Sequence, residues 1–202
     1  ASRFVFAFGV NDYGEVTQSP MLVRWSDQES VSQWTPSATN QAGSALLSHG
    51  SSLITALQTR QEILVFTDQS VHNMQYLGPP AIWGTQLLAD NSSIIGPYAA
   101  AVASNVVYWM GADKFYMYDG RVQTLNCDLR RFVFSNINAS QYQQTFCGTN
   151  EGFNEVWWFY CSANSTTVDK YVIYNYLENI WYYGDFARTA WLDSHTRGAP
   201  YA

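Results

Sequence analysis

Charged side chains are scarce in this chain. Asp, Glu, Lys and Arg make up 13% of its 202 residues, and ten basic residues stand against sixteen acidic ones. A protein that grips nucleic acid needs clustered Lys and Arg to displace the counterions of phosphate. Here the basic residues are scattered singly, except for Arg130-Arg131, and the net charge is −6. That balance excludes a phosphate clamp, although DNA can still slide past an acidic surface. Cysteine is scarce as well. Cys127, Cys147 and Cys161 are an odd number at wide spacing, which suits neither a zinc knuckle nor a disulfide framework, and they read as small core hydrophobes. No apolar run approaches the ~20 residues of a membrane-crossing helix. No basic region followed by an apolar stretch opens the chain, so no membrane anchor is expected.

Catalytic motifs are missing too. His49, His72 and His195 sit in the unrelated contexts "LSHGSS", "SVHNMQ" and "DSHTRG", without an i, i+4 partner or a Glu companion, so no metal is expected. "HGSS" lies near no G-x-S-x-G nucleophile elbow. "GVNDYG" lacks the spacing of a glycine loop that cradles phosphate and runs into a helix. The chain therefore reads as a non-enzyme without a cofactor.

Aromatic residues are what it has in abundance, at 16%, within an apolar fraction of 47% that is ample for a packed core. Flat rings suit the pleated surface of half-buried strands. Short alternating runs do recur along the chain: "RFVFAFGV", "PMLVRWS" and "VSQWTP"; "SSLITALQT", "ILVFTD" and "SVHNMQYLG"; "AAAVASNVVYWMG", "KFYMYDG" and "RVQTL"; "FNEVWWFYC", "KYVIYN" and "IWYYGD". Each group has an apolar strand, a turn, a second strand ending at or near Asp or Asn, a tight turn, and a third strand. Those third strands centre on Trp34, Gln75, Val122 and Trp181. The interval, on the order of 40–60 residues, is that of propeller blades.

The expected fold is all-β, a β-propeller of short four-stranded antiparallel blades, with approximate units 1–40, 41–80, 98–126 and 145–190 in a single domain or a fragment of one. A β-sandwich with long loops and a β-solenoid are the alternatives. Asp27, Asp68, Asp119 and Asn175 stand where strands run into tight turns, and turn structure is their expected role. "DLRRFVFSNI" suggests a short helix or an irregular insertion. In "VWWFYC", alternation sends Trp157 and Phe159 to one face and Trp158 and Tyr160 to the other, as in a strand buried on both sides. The chain starts without Met, directly in a strand-like run, and reads as a segment of a longer polypeptide.

Sialidase-type propellers carry S-x-D-x-G-x-T-W turns. "WSDQES" and "FTDQSV" share the Asp but not the Gly or the following Trp. By contrast, "RWSDQESVSQWTP", "EILVFTDQSVHNMQYLG", "GPYAAAVASNVVYWMGADKFYMYDGRVQTL" and "NEVWWFYC…KYVIYNYLENIWYYGDFARTAW" resemble successive blades of the tail nozzle proteins of short-tailed phages, the tail tubular protein B or packaged-DNA-stabilisation group. The resemblance spans about Phe4 to Trp191. It implies a structural virion protein of the phage tail that forms a ring, typically a hexamer, beneath a tail adaptor ring. Tail fibres or spikes are further implied neighbours, and DNA passes through the channel without sequence-specific binding. The competing class is a carbohydrate- or receptor-binding propeller, a lectin or adhesin whose Trp and Tyr stack on sugars.

Overall fold

The computed structural model describes residues 1–193, 200 and 201. They fall into two compact units, Ala1–Ser93 and Ile94–Ala202. Each unit is built from two small antiparallel sheets, so the all-β class expected from the alternating runs is what the chain adopts. The first sheet holds β1 (Phe6–Phe8), β2 (Leu22–Trp25) and β3 (Gly43–Leu46), and the second β4 (Leu53–Gln58), β5 (Ile63–Thr67), β6 (Ser70–Gly78) and β7 (Ile82–Asp90). The second unit has β8 (Ala100–Ala103), β9 (Val106–Met110), β10 (Phe115–Tyr118) and β11 (Val122–Leu125), then β12 (Phe146–Asn150), β13 (Glu155–Tyr160), β14 (Lys170–Asn175) and β15 (Ile180–Asp185). Every sheet is a meander with its strands in chain order, the form of a propeller blade; three blades are four-stranded and the first is three-stranded. The insertion between β11 and β12 holds one short helix, α1 (Arg130–Ser135), and a 3-10 segment, Ala139–Gln144.

Strand position follows composition. β5, "ILVFT", is buried along its whole length, and "EVWWFY" in β13 pairs with β12 on one side and β14 on the other. Side chains point alternately to the two faces, and an inner strand with both faces covered has no room for a polar row. Turn chemistry sets the registers. Ser104 (φ 48°) and Asn105 (φ 66°) both take positive φ and join β8 to β9 as a two-residue hairpin.

Within the first unit, Val23 and Trp25 of β2 share one core with Ile63, Val65, Met74 and Trp83 of the second blade. Within the second, Phe115 of β10 meets Trp158 of β13 at 5.0 Å and Trp181 of β15 at 4.7 Å between ring centres. The Trp158 indole donates to the Ala99 carbonyl at 3.0 Å and is fully buried, so this joint satisfies its one polar atom.

The phase of the repeat differs from the expectation in the first unit. Expected units 1–40 and 41–80 end short of β3 and β7, the last strands of the first and second blades. Trp34 is not in a strand; it lies in the loop of residues 26–42. That loop is closed by Asp27, whose carboxylate accepts the N–H groups of Gln28 (2.9 Å) and Gln41 (2.8 Å), and the Trp34 indole donates locally to the Val31 carbonyl (2.9 Å). Gln75 belongs to a third strand, β6, whereas Val122 and Trp181 belong to fourth strands. Trp34, Gln75 and Trp181 are therefore not equivalent positions.

Candidate functional site

The turn residues that the sequence singles out bind backbone more than each other. Asp68 follows β5 and accepts from Ser51 N–H (2.8 Å), Ser52 N–H (3.3 Å) and the Ser51 hydroxyl. Partial burial pushes its carboxyl up, but those three donors outweigh burial and hold it below the usual carboxylate range. Asn175 closes the β14–β15 turn by accepting from Leu177 (3.1 Å) and Glu178 (2.9 Å) N–H groups, while its amide donates to the Phe153 carbonyl. Asp119 takes the Gln123 side-chain amide at 3.0 Å. Trp181 lies 4.7 Å from Tyr174 and donates to the Asn126 carbonyl at 2.8 Å. Asp27, Asp68 and Trp34 belong to the first unit, and Asp119, Asn175 and Trp181 to the second, so these six residues are spread over two units.

Two Ser–His contacts occur among the described residues: Ser48 Oγ lies 2.8 Å from His49 Nδ1 at an exposed position, and the other is buried. His72 Nε2 lies 3.1 Å from Ser70 Oγ and 3.4 Å from the His49 carbonyl, and burial pushes the imidazole below its ordinary value. Ser70 also donates to the His49 carbonyl at 2.6 Å and lies 2.8 Å from Thr67 Oγ1. Ser70 is 0% exposed, so its hydroxyl has no path to a substrate, and the group serves as a hydrogen-bonded corner. His195 lies outside the described residues. Among the described residues no three His, Cys, Asp or Glu side chains are grouped to hold a metal. Burial pushes all three thiols up, Cys127 to about 11, which leaves them poor nucleophiles.

An exposed apolar patch lies along β15. Among the described residues β15 is an edge strand, paired only with β14. Its free edge is rimmed by exposed Ile180, Tyr182 and Tyr183, with Leu177 in the preceding turn 69% exposed. Phe132 of α1 packs against Tyr183 with ring centres 4.5 Å apart, which extends the apolar patch from the strand onto the helix. Soluble proteins blunt such edges with charge or cover them, whereas Tyr and other large apolar groups are enriched in interface cores. The alternation of "IWYYGD" gives the strand, but nothing in it says on which side neighbours stop. No protein-family model and no curated protein matches this chain.

Proposed function

We propose that this chain is the blade-bearing part of a ring-forming tail nozzle protein of a short-tailed phage, a non-enzymatic virion component through whose channel packaged DNA leaves. The observation that carries the reading is a series of meander blades ending on an edge strand, β15, that keeps a hydrogen-bonding edge and an apolar rim exposed. An edge of that kind is completed by a second copy, with the ring seated on an adaptor and free to carry fibres or spikes. Two further features support it. The turn acids Asp27 and Asp68 are occupied by backbone N–H groups rather than aimed at a substrate. The net charge of −6 keeps phosphate from sticking to the channel.

Native mass spectrometry and negative-stain imaging of the purified chain test this. Closed rings are expected, and Ile180→Glu together with Tyr183→Glu should dissolve them while leaving the far-ultraviolet circular dichroism unchanged. A chain that stays monomeric at every concentration, alone and with an adaptor ring, counts decisively against the proposal.

A further inference from the structure

The fourth blade carries an aromatic cleft that a purely structural blade does not require. Its cavity of about 390 Å³ is lined by Trp157, Tyr171, Asp185, Phe186, Trp191 and Pro200. That volume is in the range of small-molecule sites. Trp157 lies 4.9 Å from Tyr171 and 5.2 Å from Trp191 between ring centres, and Phe186 closes on Tyr171 edge-on at 6.3 Å. All four rings are half-buried, packed against the blade core and against one another, and line the cavity.

The rings are held in place. Gly148 on β12 is the seat of Trp191: a Cβ there would come within 2.2 Å of the indole. Trp191 Nε1 then donates to the Thr149 carbonyl (3.1 Å) and to Asp193 (3.0 Å), while Trp157 Nε1 donates to Glu155 (3.0 Å). Gly184 on β15 leaves the same kind of space for Tyr171, whose hydroxyl lies 2.5 Å from where a Cβ would stand. Fixed rings bind with little loss of side-chain freedom.

The chemistry selects among ligands. A cation would seek the Phe186 face and the Asp185 carboxylate, but Arg188 already lies over that ring at 4.5 Å and Lys170 already pairs with that carboxylate. A stretch of nucleic acid needs a basic groove beside its stacking platform, whereas the charged residue lining this cavity is Asp185, and the two basic side chains at its edge, Lys170 and Arg188, are engaged with Asp185 and Phe186. An aliphatic anchor would favour Leu, Ile or Met, none of which lines the cavity. What fits electron-rich ring faces beside a carboxylate and a phenol is a neutral ligand with a flat face of polarised C–H groups and a rim of hydroxyls. We infer that this cleft binds a neutral pyranose of an oligosaccharide chain, stacked on Trp157 and Trp191 and hydrogen-bonded at its rim by Tyr171 and Asp185. The site shares only Asp185, the last residue of β15, with the ring-forming edge, while Trp157, Tyr171 and Trp191 lie off that strand, so either reading stands if the other fails.

The test is titration of the 202-residue chain with malto-, cello- and chito-hexasaccharides, followed by tryptophan fluorescence and by indole N–H shifts in NMR. At least one sugar should bind saturably with a dissociation constant of about 0.1–1 mM. Trp191→Ala should abolish binding. Tyr171→Phe keeps the ring, leaves the fold intact, and should weaken binding about tenfold through the lost hydroxyl. Choline chloride and a short oligothymidylate serve as the cationic and stacking controls. Failure of all three sugars to saturate, equal binding by Tyr171→Phe, or tighter binding of either control would overturn the inference.

Discussion

The second blade and the fourth share one plan, a four-stranded meander, and are secured by opposite chemistry. In the second, polar side chains gather where β5 turns into β6: Thr67, Ser70 and His72 are buried and mutually hydrogen-bonded, and Asp68 ties the turn back to Ser51 and Ser52. In the fourth, flat rings take over. Trp158 and Phe159 are fully buried on opposite faces of β13, one against Phe115 and Trp181, the other against Phe146 and Trp191. A hydrogen-bonded corner fixes geometry at modest net gain, because its groups exchange water for one another. An aromatic face supplies bulk stability through the area it removes from water, with a smaller increment from ring geometry. The meander constrains the backbone path, and the side chains decide whether a blade senses pH or is indifferent to it.

Removing the centre of the aromatic joint breaks this contrast most severely. Trp158→Ala leaves a large cavity beside Phe115 and takes one of two donors from the Ala99 carbonyl, which keeps the Met110 N–H, and should lower the unfolding free energy by about 3–5 kcal/mol in urea titrations. A loss below about 1 kcal/mol would mean that the rings do not hold the joint. Asp68→Ala acts on the other blade and should cost less, about 1–2 kcal/mol, since its three donors are partly solvated and water replaces some of what is lost. Hydrogen exchange should show faster exchange at Ser51 and Ser52, with the amides of β13 unchanged.

The smallest effect is in pH. His72 binds its proton more weakly in the folded state than in the unfolded chain, because burial disfavours the imidazolium. The unfolded chain therefore takes up the proton first. Stability should be full above about pH 6.5 and decline as pH falls below it. Asp68 is shifted in the same downward direction from the carboxylate range, and its contribution is lost only at more acidic pH, below about 4. Thermal melts of wild type and His72→Gln from pH 7 to 5 separate the two: the wild type should soften across that range and the variant should not.

Much of the strand content was legible, because period-two alternation is a local signal. "ILVFTD", "KFYMYDG", "FNEVWWFYC" and "KYVIYN" each contain an observed strand. β7 escaped because "IWGTQLLAD" breaks its alternation at Gly84 and ends in residues that look like loop, yet long pairing with β6 overrides this. β12, "FCGTN", escaped for a related reason: its glycine weakens the strand signal, and the purpose of that glycine is a tryptophan that follows much later in the chain. The same distance hid the cleft. Trp157 and Trp191 are ordinary aromatics until the segment after β15 folds back over β12. Trp34 misled because a bulky residue near an Asp turn looked like a strand centre, when the turn is a wide loop held by Asp27.

The hydrogen bond from Trp158 to Ala99 also has a history in time. Ala99 precedes its partner by 59 residues. At a synthesis rate of about 5–20 residues per second, the carbonyl waits roughly 3–12 seconds on the ribosome before the indole that covers it has been made. During that interval the third blade has its strands but not its cover, so the nascent chain is most vulnerable to mispairing after β11 has emerged and before β13 has.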